Sequence, residues 1–102
     1  MFDMIKSFVE DKDHALLRKE FLSLTSEFEK NTDDPIAENT VAIADRLRRV
    51  VKTKIPLERS EKIRLLKVLN KGKVRALLLG TDEGNRIFKN LDTISFDIIK
   101  HI

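Results

Sequence analysis

The amino-acid sequence predicts an all-α protein, an antiparallel four-helix bundle formed by residues 1–102 as a single domain. Three observations lead to this prediction. Apolar side chains recur every three to four residues in four separate segments, which is the period of one face of a helix. Only three Gly and two Pro occur in 102 residues, whereas sheet proteins with many tight turns usually contain more. The segments are joined by short connections, which favour antiparallel neighbours around one core.

The first segment runs from about Phe2 to Lys30. Its apolar stripe consists of Leu17, Phe21, Leu24 and Phe28. The charged residues 11–13 leave open a break between a short first helix and a longer second one. The next segment is predicted to begin in residues 31–35, with Pro35 at the first helical position, where its missing N–H is tolerated. It is predicted to end at Ile55–Pro56, because the residue before a proline disfavours the helical region. Its stripe is Ile36, Ile43, Leu47 and Val50, widened by Ala44 and Val51.

The third segment begins near Leu57 or Ser60, and its predicted stripe is Ile63, Leu66 and Leu69. Two alternatives follow at Gly72. Either this glycine ends the helix and residues 73–79 form a short fifth helix, or the helix continues to Leu79 and tolerates the glycine at about 1 kcal/mol. The fourth segment begins after Gly80, with Thr81 or Asp82 as its cap. Its predicted stripe is Ile87, Leu91, Ile94 and Ile98.

Charge is unevenly distributed along the chain. Residues 46–75 contain twelve Lys or Arg and only two acidic residues, a local net charge of +10, whereas the rest of the chain carries −7. The second and third segments could therefore share a positive face that attracts acidic protein surfaces, anionic lipid or nucleic acid. The alternative is an ordinary charged exterior that is partly neutralised by the acidic helices beside it.

The residue types required for catalysis or metal binding do not occur in suitable patterns. The chain has no Cys, and its two histidines, His14 and His101, lie near opposite ends. No pair of histidines has the spacing of a zinc site, and the Gly80–Gly84 turn lacks the lysine and spacing of a phosphate-binding loop. We therefore predict a non-enzyme with no cofactor and no metal. The sequence also shows no signal-peptide pattern and no apolar run near the length of a membrane span, so a cytoplasmic location is expected.

Residues 63–79 also suggest a helix-turn-helix, with Gly72 in the turn. A recognition helix needs polar side chains that reach base edges, whereas residues 73–79 are mostly apolar and are expected to be buried. Nucleic-acid binding is therefore the weaker alternative.

Two stretches carry a family resemblance. Residues 55–69, from Ile55–Pro56 through a polar start into a Leu-rich stripe, resemble the third helix of the bacteriocin immunity proteins of the enterocin A and pediocin-like group. Residues 42–47 resemble the second helix of that group. The resemblance implies a protein that acts inside the producer cell by binding, when the toxin engages its membrane receptor, the sugar-uptake permease of the phosphotransferase system. It also implies that the C-terminal half, here residues 57–102, sets specificity.

The leading hypothesis is thus an immunity protein that acts by non-catalytic binding on the cytoplasmic side of the receptor or of the receptor–bacteriocin complex, in the cytoplasm or peripheral to the inner membrane face. The contact residues predicted from the basic segments, and not from a family motif, are Arg46, Arg49, Lys52, Arg59 and Arg64. A small nucleic-acid-binding regulator and an oligomeric helical adaptor, such as a homodimer, are the alternatives.

Overall fold

The computed structural model describes the backbone of residues 2–53 and 56–100 and the side chains of residues 14–53 and 56–100. Within these ranges the chain forms four α-helices and no strand: α1 Phe2–Lys30, α2 Glu38–Lys52, α3 Arg59–Leu78 and α4 Asp82–Ile99. Each helix contributes buried apolar side chains to one core, among them Phe21, Phe28, Leu47, Leu65, Leu69, Leu91 and Ile94. The predicted all-α four-helix bundle is confirmed.

The order of the helices around the bundle is not their order along the chain. Helix α3 packs on α4 and α1 packs on α2, while α2 against α4 and α1 against α3 close the bundle. Helices α2 and α3 are joined by a short connection but do not pack against each other. Helices α1 and α3 are parallel neighbours, since Arg18 pairs with Glu61 near the start of α3 and Phe28 lies against Gly72 further along both helices. The end of α2 and the start of α3 therefore lie at diagonally opposite positions in the bundle.

The beginning of α2 differs from the prediction. Helix α1 is continuous through residues 11–13, and α2 starts at Glu38 rather than at Pro35. Two successive turns occupy the intervening residues, with the Asp34 N–H donating to the Asn31 carbonyl at 3.1 Å and the Ala37 N–H to the Asp34 carbonyl at 3.3 Å. Asp at the first position and Pro at the second suit a type I turn as well as they suit a helix start. Pro35 is buried in this connection.

Helix α2 ends at Lys52. The Thr53 hydroxyl donates to the carbonyl of Val50 at 2.6 Å, and the Thr53 N–H donates to the same carbonyl at 3.1 Å. These bonds satisfy an end carbonyl that would otherwise lack a partner. Ile55, part of the predicted Ile55–Pro56 end, lies outside the described residues.

Helix α3 decides between the two alternatives at Gly72 and corrects the predicted stripe. It runs unbroken through Gly72, so the alternative of a helix that tolerates the glycine is the correct one and residues 73–79 are not a separate fifth helix. Its buried stripe is Leu65, Val68, Leu69, Gly72 and Ala76. Of the predicted stripe only Leu69 is fully buried, whereas Ile63 is 37% exposed. Apolar residues occupy two faces of α3, and three- and four-residue spacing alone cannot tell which of them meets the core.

Helix α4 follows the prediction closely. Ile87, Leu91, Ile94 and Ile98 are all buried. Thr81 is the N-cap, and its hydroxyl oxygen accepts the Gly84 N–H at 3.0 Å. This bond satisfies a backbone donor that has no partner within the helix.

Candidate functional site

Three of the cations on the flanks of α3 are paired with acidic residues of neighbouring elements. Each lies within 3.4 Å of a carboxylate oxygen of α1, of α4 or of the turn after α1. The pairs are Arg64–Glu29, Lys73–Asp92 and Arg75–Asp33. This partly confirms the reading of the charge as an exterior neutralised by acidic neighbours. Two of the pairs lie at helix–helix boundaries and the third joins α3 to the turn after α1, so these three cations are engaged within the bundle rather than on a free binding surface.

Arg18 and Glu61 form the closest of the ion pairs between described residues. The Arg18 Nε and Nη2 atoms both donate to Glu61 Oε1, at 3.2 and 3.0 Å, and the Glu58 N–H donates to the same oxygen at 3.0 Å. The Glu61 side chain is only 10% exposed. Burial by itself raises the pKa of the Glu61 carboxyl, but the hydrogen bonds from Arg18 and Glu58 outweigh it and the pKa is lowered. The hydrogen bond to Glu61 raises the pKa of Arg18 in turn. The pair fastens α1 to the first turn of α3.

A row of three cations lies on the outer side of α2. Arg46, Arg49 and Lys52 follow at three-residue intervals, and all three are exposed. Among the residues that the structure describes, none of them has an ion-pair partner. Arg48 differs, because it turns toward α4 and its Nη1 donates to Asn90 Oδ1 at 3.4 Å. We refer to Arg46, Arg49 and Lys52 as the α2 row.

The five predicted contact residues therefore do not share one face. The α2 row lies on one helix, whereas Arg59 and Arg64 lie on α3, which is diagonal to α2 in the bundle. Arg59 is exposed and has no ion pair within the described part of the chain, whereas Arg64 also donates to Ser26 Oγ at 3.1 Å. The prediction that α2 and α3 share one positive face is wrong, because these helices follow each other in the sequence but do not pack against each other.

The outer side of α3 carries exposed apolar residues that the sequence prediction placed in the core. Residues 73–79 were expected to be buried, but among them only Ala76 is buried, while Val74 and Leu77 are each 48% exposed and Leu78 is 74% exposed. The helix-turn-helix interpretation is also wrong, since α3 has no turn at Gly72. The consecutive leucines 77–79 were the available signal, because neighbouring positions on a helix cannot all face one core.

A groove of about 810 Å³ separates α2 from α4. Its walls carry charges of both signs: Glu38, Asp45, Glu83, Arg48, Arg86 and Lys89. Asn90 bridges the two walls by accepting from Arg48 and donating from Nδ2 to Asp45 Oδ1, at 3.4 Å in both cases. This alternation neutralises the groove and gives it no marked preference for an anion or a cation.

Within the described residues, no group of three or more His, Cys, Asp or Glu side chains is placed to hold a metal ion. No helix in this part of the chain combines the length and apolar character that a membrane crossing requires. The fold and its surfaces thus define an all-helical bundle with an exposed cationic row on α2 and an exposed apolar surface on α3 and α4. Comparisons with protein-family models, with curated proteins and with solved structures find no match to this chain.

Proposed function

We propose that this protein is a bacteriocin immunity protein that protects the producing cell by non-catalytic binding at the cytoplasmic side of the toxin's receptor. The resemblance of residues 42–47 and 55–69 to the second and third helices of the enterocin A and pediocin-like group supports the class. The α2 row is the structural observation that supports binding as the mode of action. It offers three exposed cations that have no acidic partner among the described residues.

The chemistry of the α2 row suits an acidic protein surface. The guanidinium groups of Arg46 and Arg49 can each bind a carboxylate through two parallel hydrogen bonds. Since no internal ion pair must be broken first, the contact carries little cost of rearrangement. A row of one sign also accelerates association with a surface of the opposite sign. Arg59 offers a further unpaired cation on α3, whereas the ion pair with Glu29 makes Arg64 a weaker candidate.

Protection of a sensitive strain tests the proposal. The gene would be expressed in a strain sensitive to pediocin-like bacteriocins, and survival would be measured against a panel of these toxins. We expect the unmodified protein to raise the inhibitory concentration of at least one toxin. The variant R46E/R49E should abolish that protection, because two cations of the contact row become anions.

The matched control is K19E/R86E. Lys19 and Arg86 are exposed cations on α1 and α4, they have no ion pair within the described residues, and their reversal changes the net charge equally. Protection should survive in this control. Lack of protection against every toxin would refute the proposed function, and equal loss in both variants would refute the role of the α2 row.

A further inference from the structure

Helix α3 carries a second apolar stripe in addition to the one buried in the core. It consists of Ile63, Leu66, Val74 and Leu77, with the polar Asn70 at the position between Leu66 and Val74. The five residues follow at intervals of three and four and therefore share one side of the helix. Leu66 is half-buried, and the other four are exposed. Helix α4 carries Phe88, Phe96 and Ile99 on one side, where the charged Asp92 interrupts the apolar residues. Phe88 is partly buried against the core, whereas Phe96 is 58% and Ile99 57% exposed.

The register between the two helices places these stripes side by side. Lys73 Nζ lies 3.3 Å from Asp92 Oδ1 and 6.0 Å from the centre of the Phe88 ring. Helices α3 and α4 run in opposite directions. Leu66 lies two turns before Lys73 and Ile99 lies two turns after Asp92, so Leu66 and Ile99 are at the same level of the bundle. We call the two stripes together the α3–α4 face. Of the eight large apolar side chains exposed in the described part of the chain, only Leu16 lies on α1, and the others belong to α3, α4 or the turn between them.

Lysines border the α3–α4 face on both edges. Lys67 and Lys71 lie beyond the apolar stripe of α3, and Lys89 and Lys100 lie beyond that of α4. All four are exposed, and none has an ion pair among the described residues. Lys100 Nζ lies 4.8 Å from the centre of the Phe96 ring, so a cation and an exposed aromatic ring occupy the same edge.

We propose that the α3–α4 face binds the surface of an anionic lipid bilayer. The exposed apolar side chains would enter the boundary between headgroups and acyl chains, and the lysines at both edges would contact lipid phosphates. Lysine near an anionic surface contributes about 1 kcal/mol, or roughly fivefold in affinity, per side chain.

The edge lysines favour lipid over protein as the occupant. In a face-to-face dimer of this chain, the lysine edges of one copy would meet the lysine edges of the other, and like charges repel. Lysine is also depleted from protein–protein interfaces, whereas it is common beside the apolar face of helices that lie on membranes.

This inference goes beyond the proposed function and does not require it. Helix α2 is diagonal to α3, so the α2 row stays turned away from a bilayer that covers the α3–α4 face. A protein held in this orientation could meet the cytoplasmic part of a receptor with one surface and the lipid with another. Vesicle binding involves no toxin, so its failure is distinguishable from a failure of protection.

Flotation of the purified full-length protein with vesicles tests the inference. We expect binding to vesicles that contain phosphatidylglycerol and none to vesicles of phosphatidylcholine alone. The variant K67Q/K71Q should bind roughly twenty-five-fold more weakly, from two lysines at about fivefold each. The matched control R46Q/R49Q, which removes two cations from the α2 row, should stay within about threefold of the unmodified protein.

A second pair of variants tests the apolar contribution. V74S/F96S should weaken binding to the anionic vesicles about tenfold or more, because two exposed apolar side chains are lost, whereas L16S should leave it unchanged. These positions are exposed, and circular dichroism should show unchanged helix content in all four variants. Absence of binding to anionic vesicles, or equal losses in K67Q/K71Q and R46Q/R49Q, overturns the inference. Sedimentation as a dimer that V74S/F96S dissociates would assign the face to a second copy instead.

Discussion

Gly72 of α3 lies directly against the ring of Phe28 of α1. A β-carbon at residue 72 would come 3.0 Å from Phe28 Cζ and 3.1 Å from Leu91 Cδ1. Both neighbours are core side chains, with Phe28 1% and Leu91 0% exposed, so neither has free space into which to move. Glycine thus allows α3 to approach both α1 and α4 at the centre of the bundle.

The variant G72A should be destabilised by about 1 kcal/mol. Overpacking of a core lowers stability by about 1–3 kcal/mol, and the higher helix propensity of alanine offsets about 1 kcal/mol of this loss. Urea unfolding of G72A, of F28L and of the double variant measures the coupling between the two sites, and F28L should remove most of the penalty of G72A. N70A, at an exposed position of the same helix, is the control and should be neutral or slightly stabilising. A stabilised G72A would show that the contact is looser than its distances indicate.

Gly84 provides a second close approach, between α4 and the end of α3. A β-carbon there would collide with the backbone carbonyl oxygen of Ala76, which is less able to move than a side chain. We expect G84A to lower the free energy of unfolding by about 2 kcal/mol or more. N85A, at the adjacent exposed position, should have little effect. Equal thermal midpoints for G84A and N85A would contradict the close packing of these two helices.

The Arg18–Glu61 pair should make stability depend on pH. The pKa of Glu61 is lower in the folded protein than in the unfolded chain. Its contribution is therefore fully present above the unfolded pKa, at about pH 5 and higher, and is lost as the pH falls through the folded pKa. The difference in unfolding free energy between the unmodified protein and E61Q should be largest near neutrality and shrink on acidification. E20Q, which removes an exposed carboxylate without an ion pair among the described residues, is the matched control for the loss of one negative charge.

The two apolar sides of α3 should respond differently to truncation. L65A should cost about 2–5 kcal/mol, since Leu65 is 0% exposed and its loss leaves a cavity. I63A should cost less than about 1 kcal/mol, because Ile63 is 37% exposed and water can fill the space. Denaturant midpoints of the two variants measure the difference. Similar losses would mean that α3 is rotated from the orientation described above.

The spacing of apolar residues predicted the buried side of a helix correctly where only one side could form an unbroken apolar stripe. In helix α4 the stripe of Ile87, Leu91, Ile94 and Ile98 is not interrupted by a charged residue, and all four of these predicted core residues are buried. Helix α3 has two stripes, and local spacing gives them equal weight. Pro35 shows a similar ambiguity, since an Asp–Pro step suits both the start of a helix and a tight turn.

The candidate surfaces were predictable only in part. The exposure of Arg46, Arg49 and Lys52 follows from their place opposite the core stripe of α2. The ion pair of Arg64 could not be predicted in this way, because its partner Glu29 is thirty-five residues away in the sequence. The α3 part of the α3–α4 face was missed because its apolar residues were expected in the core.

The sequence by itself determined the four helices, most of the core of α1, α2 and α4, and the concentration of positive charge in residues 46–75. These follow from local periodicity and composition, which act within a few turns of one helix. The tertiary structure alone decided that α2 and α3 are diagonal, which divides the positive charge between two surfaces. It also decided which side of α3 meets the core. The side that contains Gly72 faces Phe28 of α1, because a larger side chain at this position would not fit against the Phe28 ring.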